Sequence, residues 1–267
     1  MHKSALVTGQ LFFQTYWREG FHNILDIGSR DVNGSLRSVK PEDAAYLGVD
    51  LAPGPGVELV LKDPHHLPLD DESVDVVVST SCLEHDPLFW LTFAEMLRVV
   101  KAGGLLYLNA PSNGLYHGYP FDHWRFYPDA GCALVQWSER VGTPARLIES
   151  FIGQRDGDVW ADNVMVFARE PITQPLPERL LCDQLPGATN IRRGAAEALE
   201  RFVAQPEDLR RLQQANARVK ALEEQLKASE ARLSALTDEV SALREQVVGQ
   251  PVTAPAGDEA ATATGPR

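Results

Sequence analysis

Apolar residues in the first 170 positions fall into short, strand-length runs separated by stretches of helical period. The runs lie at 24–27, 45–50, 57–61, 74–78, 105–108, 146–151 and 163–168, and helical stretches such as 86–101 stand between them. Aliphatic strands that alternate with helices predict an α/β fold whose mostly parallel sheet is covered on both faces. Leu11, Phe12, Tyr16 and Trp17 recur near helical spacing and stop at Gly20, which predicts a short helix lying on the domain ahead of the first strand. Gly103-Gly104 reads as the stop between the 86–101 helix and the fifth strand. The domain is expected to span 1–170 and to close near Arg169.

The pattern then changes. Pro171, Pro175, Pro177 and Pro186 punctuate 171–205, which reads as a linker, and Ile191, Ala195, Leu199 and Phe202 suggest one short amphipathic helix within it. From 206 to 248 a heptad repeat takes over. Leu212, Val219, Leu226, Leu233, Val240 and Val247 fill one seam position, and Ala215, Leu222, Ser229, Leu236 and Leu243 the other. A strict seven-residue repeat with branched residues at the first position and mostly Leu at the second predicts a parallel, two-stranded coiled coil, hence a homodimer. Arg218 would face Glu223 of a second copy, and Glu239 would face Arg244. The Ala-, Thr-, Pro- and Gly-rich residues 249–267 are expected to be disordered.

Composition narrows the partners. A formal net charge of -12 argues against a nucleic-acid backbone as ligand. Cys82, Cys132 and Cys182 are far apart and form no CxxC pair, so neither structural zinc nor a disulfide framework is expected. No apolar run is long enough for a signal peptide or a membrane span, which makes the cytoplasm the expected location.

The chemistry is expected at the carboxyl ends of the strands. Ile24-Leu25-Asp26-Ile27-Gly28-Ser29 is a buried strand feeding a turn in which Gly28, lacking Cβ, brings backbone N–H groups close to a ligand. Asp50, followed by Leu51, ends the second strand, where a carboxylate can accept hydrogen bonds from both hydroxyls of a ribose. Asp63 ends the third, with Leu67-Pro68-Leu69 as an apolar wall for an adenine ring. Asp75 opens the fourth, and Ser79-Thr80-Ser81-Cys82-Leu83-Glu84-His85 leaves its carboxyl end.

Read in order, Leu25-Asp26-Ile27-Gly28, Asp50, Asp63 with Leu67-Pro68, Asp75, Leu83-Glu84-His85 and Arg98-Val99-Val100-Lys101-Ala102-Gly103-Gly104 resemble the class I S-adenosylmethionine-dependent methyltransferases over about residues 20–170. The resemblance implies a Rossmann-like, doubly wound seven-stranded sheet with S-adenosyl-L-methionine as cofactor. Asp26, Gly28 and Ser29 would hold its methionine end, Asp50 and Leu51 the ribose side, Asp63 the adenine amino group, and Ser81 would border the same site. Two features depart from the family pattern. The loop from Gly28 to Gly34 is longer, and Pro64 lacks the backbone N–H normally found after the adenine-binding acid, so either His65 supplies that donor or the ring sits differently.

The segment His117-Gly118-Tyr119-Pro120-Phe121-Asp122-His123-Trp124-Arg125-Phe126-Tyr127 is similar to a stretch found in methyltransferases of bacterial glycan- and sugar-modifying systems. It implies a sugar or glycan acceptor, with aromatic faces as platforms for sugar rings. Transfer to a hydroxyl requires removal of a proton. His117 is the first candidate base, with Asp122 as its orienting partner, and His85 is the second. Arg125 is expected to be an ion-pair partner. His117, Asp122 and His123, joined by Glu84, are too rich in histidine for magnesium and match no metal-ligand spacing, so no metal is assigned. Cys82 is expected to be a small buried residue rather than a nucleophile. A nicotinamide-dependent oxidoreductase would need a G-x-G-x-x-G turn where Arg30-Asp31-Val32-Asn33 stands. A non-catalytic ligand-binding assembly protein and N- or C-methylation remain as alternatives.

Overall fold

The computed structural model describes residues 2–155, 157, 159–172 and 174–248. The chain divides into two compact units, the first ending at Glu207 and the second beginning at Asp208.

The first unit is an eight-stranded sheet. Its strands are β1 (Asn23–Ile27), β2 (Ala45–Asp50), β3 (Leu59–Val60), β4 (Val74–Thr80), β5 (Val100–Pro111), β6 (Ala145–Ile152), β7 (Asp162–Arg169) and β8 (Thr189–Arg193). They lie in the order β3-β2-β1-β4-β5-β7-β6-β8. The strands from β3 to β5 pair in parallel, whereas β7 runs antiparallel to both β5 and β6, and β8 antiparallel to β6. The chain goes outward from β1 to β3 and then returns to β4 on the other side of β1. The carboxyl ends of β1 and β4 therefore flank the point where strand order reverses, which is where open α/β sheets form a ligand crevice.

Helices α1 (Lys3–Tyr16), α2 (Phe89–Val99) and α3 (Asp129–Arg140) accompany the sheet. One apolar cluster packs Phe93, Met96 and Leu97 of α2 and Leu134 of α3 against Leu25, Val77, Leu106 and Phe167. The other packs Phe12, Phe13 and Tyr16 of α1 against Ile24, Val76, Tyr107 and Phe151. The aromatics of α1 are thus core residues, as their burial demands.

Three expectations are corrected. First, the sheet has eight strands rather than seven. Thr189–Arg193, expected to enter a short helix with Ile191, is instead an edge strand, and the first unit continues well past Arg169. Buried Ile191 and Leu181 join the core on the α1 face, and Glu149 at its centre accepts backbone N–H groups from Leu181 (3.0 Å) and Cys182 (2.9 Å) as well as the Tyr16 hydroxyl. A buried carboxylate needs such donors, and they tie the proline-rich segment to the sheet. Second, α2 ends at Val99, so Gly103-Gly104 lies inside β5 at an irregularity in the β4–β5 register rather than between helix and strand. A Cβ on Gly104 would come within 2.6 Å of the Asp75 carbonyl oxygen, which is why glycine stands there. Third, β3 is only two residues long, and Asp63 lies in the loop beyond it.

The second unit carries α4, which runs Glu207–Val248 over 42 residues and has none of them buried. The expected disorder of 249–267 lies outside the described residues.

Candidate functional site

The crevice at the strand reversal is assembled from loop residues that the sheet edge brings together. After β1, Gly28 adopts φ +79°, and a Cβ there would meet Cys82 Sγ at 2.7 Å, so the Gly28 loop and the Cys82 turn can close on each other only with glycine. The backbone N–H groups of Gly28 and Ser29 both donate to the Val49 carbonyl oxygen (2.9 and 3.1 Å), which fixes the turn to β2. Asp26 lies buried beneath it and accepts the Tyr46 hydroxyl at 2.7 Å. Burial pushes its carboxyl up to about 7, although that hydrogen bond and the Arg37 charge pull the other way.

Asp50 stands half-buried at the end of β2. Its two oxygens accept one backbone N–H each, from Arg30 and Ala52 (both 3.1 Å). An ionised carboxylate has about four acceptor sites, so it retains capacity for a diol. Leu51 beside it is 56% exposed, an uncovered apolar face at a ligand edge. Asp63 is exposed and accepts the His65 backbone N–H at 2.9 Å. The donor expected from His65 is therefore spent inside this turn. Asp75 is structural: it receives His22 and Asn23 N–H groups and the Lys101 ammonium (2.9, 2.9 and 2.7 Å). Burial opposes its ionisation, but these donors hold it below the usual carboxylate range.

Beyond β4 the chain passes through Ser81, a non-glycine residue at φ +52°, into a short 3-10 turn over Leu83–His85. Glu84 in that turn is fully buried, and among the described residues neither carboxylate oxygen has a hydrogen-bond partner. Burial pushes its carboxyl up to about 8, with Asp162 adding repulsion. The Glu84 main-chain carbonyl accepts the His123 and Trp124 N–H groups (2.7 and 3.2 Å) and so pins the 112–128 loop to the turn. That contact brings the His117 ring 4.9 Å from the ring of His85 and 4.8 Å from that of Trp160. A cavity of about 270 Å³ opens here, bordered by Asn33, Ser81, Glu84, Pro111, His117 and Trp160. His2 and Asp162, 3.2 Å apart, complete it.

His85 is oriented by its Nδ1, which lies 2.5 Å from the Phe121 carbonyl oxygen. A carbonyl only accepts, so Nδ1 carries a proton, and Nε2 lies 3.6 Å from Glu84 Oε1. His117 is shifted toward the neutral imidazole, by burial first and by His85 next, with Asp122 opposing.

Asp122 does not orient the His117 ring as expected. One of its oxygens accepts the His117 backbone N–H at 2.8 Å, and both are taken by the Arg125 guanidinium at 2.5 and 2.7 Å. Arg125 holds the carboxyl down to about 2. A bidentate guanidinium satisfies a carboxylate better than one imidazole N–H, and it leaves Asp122 as the brace of the loop. The sequence reading missed Trp160, Asp162 and His2 as wall residues, and it placed Glu84 only at the margin.

Residues 26–108 match the family described as Methyltransferase domain (Methyltransf_11). The match covers under a third of the chain. The cofactor expected for such a domain is S-adenosyl-L-methionine. The chain is 35% identical over 111 residues to an uncharacterized methyltransferase of Mycobacterium ulcerans, an alignment covering 40% of this chain and 41% of the relative. It is 40% identical over 77 residues to the phthiotriol/phenolphthiotriol dimycocerosates methyltransferase of Mycobacterium leprae, covering 24% and 27%. A crystal structure of a SAM-dependent methyltransferase from Archaeoglobus fulgidus is similar at 15% identity and a TM-score of 0.46, over 63% of this chain and 95% of that one. The chain thus spans 41% and 27% of the length of these two curated relatives.

The residues present fit the cofactor. Asp50 retains acceptor sites at the end of β2, and the Gly28 turn closes tightly on the Cys82 turn at the crevice floor.

Proposed function

We propose that this chain transfers a methyl group from S-adenosyl-L-methionine to a hydroxyl of a sugar or glycan. The cofactor, when bound, supplies an electrophilic methyl on a sulfonium. Asp50 holds the ribose, the Gly28–Ser29 turn and Asp26 line the methionine end, and Asp63 faces the adenine amino group. Glu84, His85 and His117 form the group that draws off the acceptor's proton, with His117 the first candidate base.

One observation carries this reading: buried Glu84, whose carboxyl oxygens have no hydrogen-bond partner among the described residues, stands with His117 on a cavity that Ser81 also borders, and His85 lies beside both. A hydroxyl has to lose a proton on transfer, and groups able to take it are gathered where the acceptor would enter. Tyr116, Tyr119, Phe121 and Trp124 expose their rings on the same loop and suit the faces of sugars. That exposed rim also favours an acceptor attached to a lipid, as a second reading. The relative from Mycobacterium leprae is itself named for dimycocerosates.

The helix α4 supports a parallel homodimer. Its seam residues Leu212, Val219, Leu226, Leu233 and Val240 are each between 48% and 66% exposed in the single chain, an apolar stripe that a second copy would cover. A cytoplasmic enzyme of polysaccharide biosynthesis is the setting this reading implies; among the described residues no helix is long and apolar enough to cross a membrane. Incubation with methyl-labelled cofactor and a panel of nucleotide sugars, lipid-linked glycans and amines tests the assignment. Label is expected in a hydroxyl-bearing sugar product; label only in amines would overturn it.

A further inference from the structure

Glu84, His85 and His117 bring one carboxylate oxygen and two ring nitrogens within 4.8 Å of one another. This set differs from the one weighed in the sequence. Asp122 is committed to Arg125, and His123 packs its ring against Phe121 at 5.7 Å, so neither converges with the others. We propose that Glu84, His85 and His117 bind one divalent first-row transition cation at the carboxyl end of β4.

Three observations support the assignment. Glu84 is fully buried with both oxygens unpartnered, a costly arrangement unless something positive meets it. His85 Nδ1 is held by the Phe121 carbonyl and Nε2 lies beside Glu84, the outer-shell arrangement that orients histidine ligands. The 3.6 Å between that nitrogen and Glu84 Oε1 is too long for a hydrogen bond. It is close to the separation of roughly 3.0–3.4 Å for two ligands each about 2.1 Å from a shared ion. His117 brings a ring nitrogen within 4.8 Å of the ligand atoms of Glu84 and His85. The Arg125 guanidinium nearby is paired with both oxygens of Asp122.

Two imidazoles with one carboxylate select zinc, manganese, cobalt or iron rather than magnesium. Three protein ligands leave positions open to the cavity. The role of the ion rests on the methyl-transfer reading: an acceptor hydroxyl in an open position would release its proton to water more readily.

The test uses the full chain, stripped with chelator and titrated with Zn²⁺ against a chromophoric competitor, then with Co²⁺, without cofactor or acceptor. One equivalent of zinc per chain and visible cobalt absorption are expected. Glu84→Gln, which preserves shape, and His117→Ala, on the surface loop, should each weaken zinc by at least about 100-fold, the upper end of the cost of losing an outer-shell partner. Far-UV circular dichroism and cofactor affinity should be unchanged in both. Substoichiometric binding, or variants that bind zinc as tightly as wild type, would overturn the site. Because neither readout involves methyl transfer, the site can fail while the transferase reading stands, and the reverse.

Discussion

With two of its acceptor sites on backbone N–H groups, Asp50 still has two to offer a ribose diol. Hydrogen bonds to a charged group contribute roughly 1.5–3 kcal/mol each. Asp50→Ala should therefore weaken S-adenosylmethionine binding at least about tenfold by calorimetry, with the fold intact because the side chain is half-exposed at a strand end. An unchanged affinity would remove Asp50 from the site. Asp26 gives a prediction of a different kind. Its carboxyl titrates near 7 when folded and near 3.9 when unfolded. Between those values the folded chain keeps a proton that the unfolded chain has lost, so stability falls as pH rises from about 4 to about 7. In Asp26→Asn this loss disappears while the Tyr46 hydroxyl keeps an acceptor. The melting-temperature difference, variant minus wild type, should grow from pH 4 to pH 7 and level off above. A difference independent of pH would show that Asp26 is ordinarily ionised in the folded protein.

At the scale of elements, β8 is the addition to test. Ile191 is fully buried on the α1 face of the sheet. Ile191→Ala should cost about 2–5 kcal/mol, read as a lower urea midpoint. A cost below about 0.5 kcal/mol would return 189–193 to a peripheral linker. β1, β4, β5, β6 and β7 were legible because aliphatic runs buried on both faces leave a strong pattern, whereas β2 and β3 are partly exposed and β3 is shorter than its apolar run. β8 was not: in Thr189-Asn190-Ile191-Arg192-Arg193 only one residue is apolar, and the helical spacing to Ala195 and Leu199 competes with it. What makes it a strand is the edge of β6, forty residues away. The site divides the same way. Gly28, Asp50 and Ser81 sit at strand ends, so their places follow once the strands are known. Glu84 stands in a motif, but its burial depends on the 112–128 loop folding over it. Asp122 lies three residues from Arg125 and five from His117, and sequence spacing alone does not decide which it serves. His2 and Asp162 reach the cavity from the start of α1 and of β7, distances that no local pattern encodes.

For the whole molecule, α4 matters because its apolar seam is uncovered in one chain. At 1.5 Å per residue its 42 residues extend about 63 Å. Sedimentation of the full chain at tens of micromolar should give a dimer, and Leu226→Asp with Leu233→Asp should give a monomer that still binds cofactor. A monomeric wild type would refute the coiled coil, and a double variant that stays dimeric would move the interface to the α/β unit.

Cofactor binding and proton removal are assigned to different residues of one crevice, and the measurement that tests this most directly separates them in a single variant. Cofactor affinity by calorimetry and methyl transfer from labelled S-adenosylmethionine to the sugar acceptor are compared for wild type and His117→Ala. The variant should keep its affinity within about threefold and lose about 10²–10⁴ in turnover. Turnover within a few-fold of wild type, or a loss of affinity that matches the loss of turnover, would contradict the assignment.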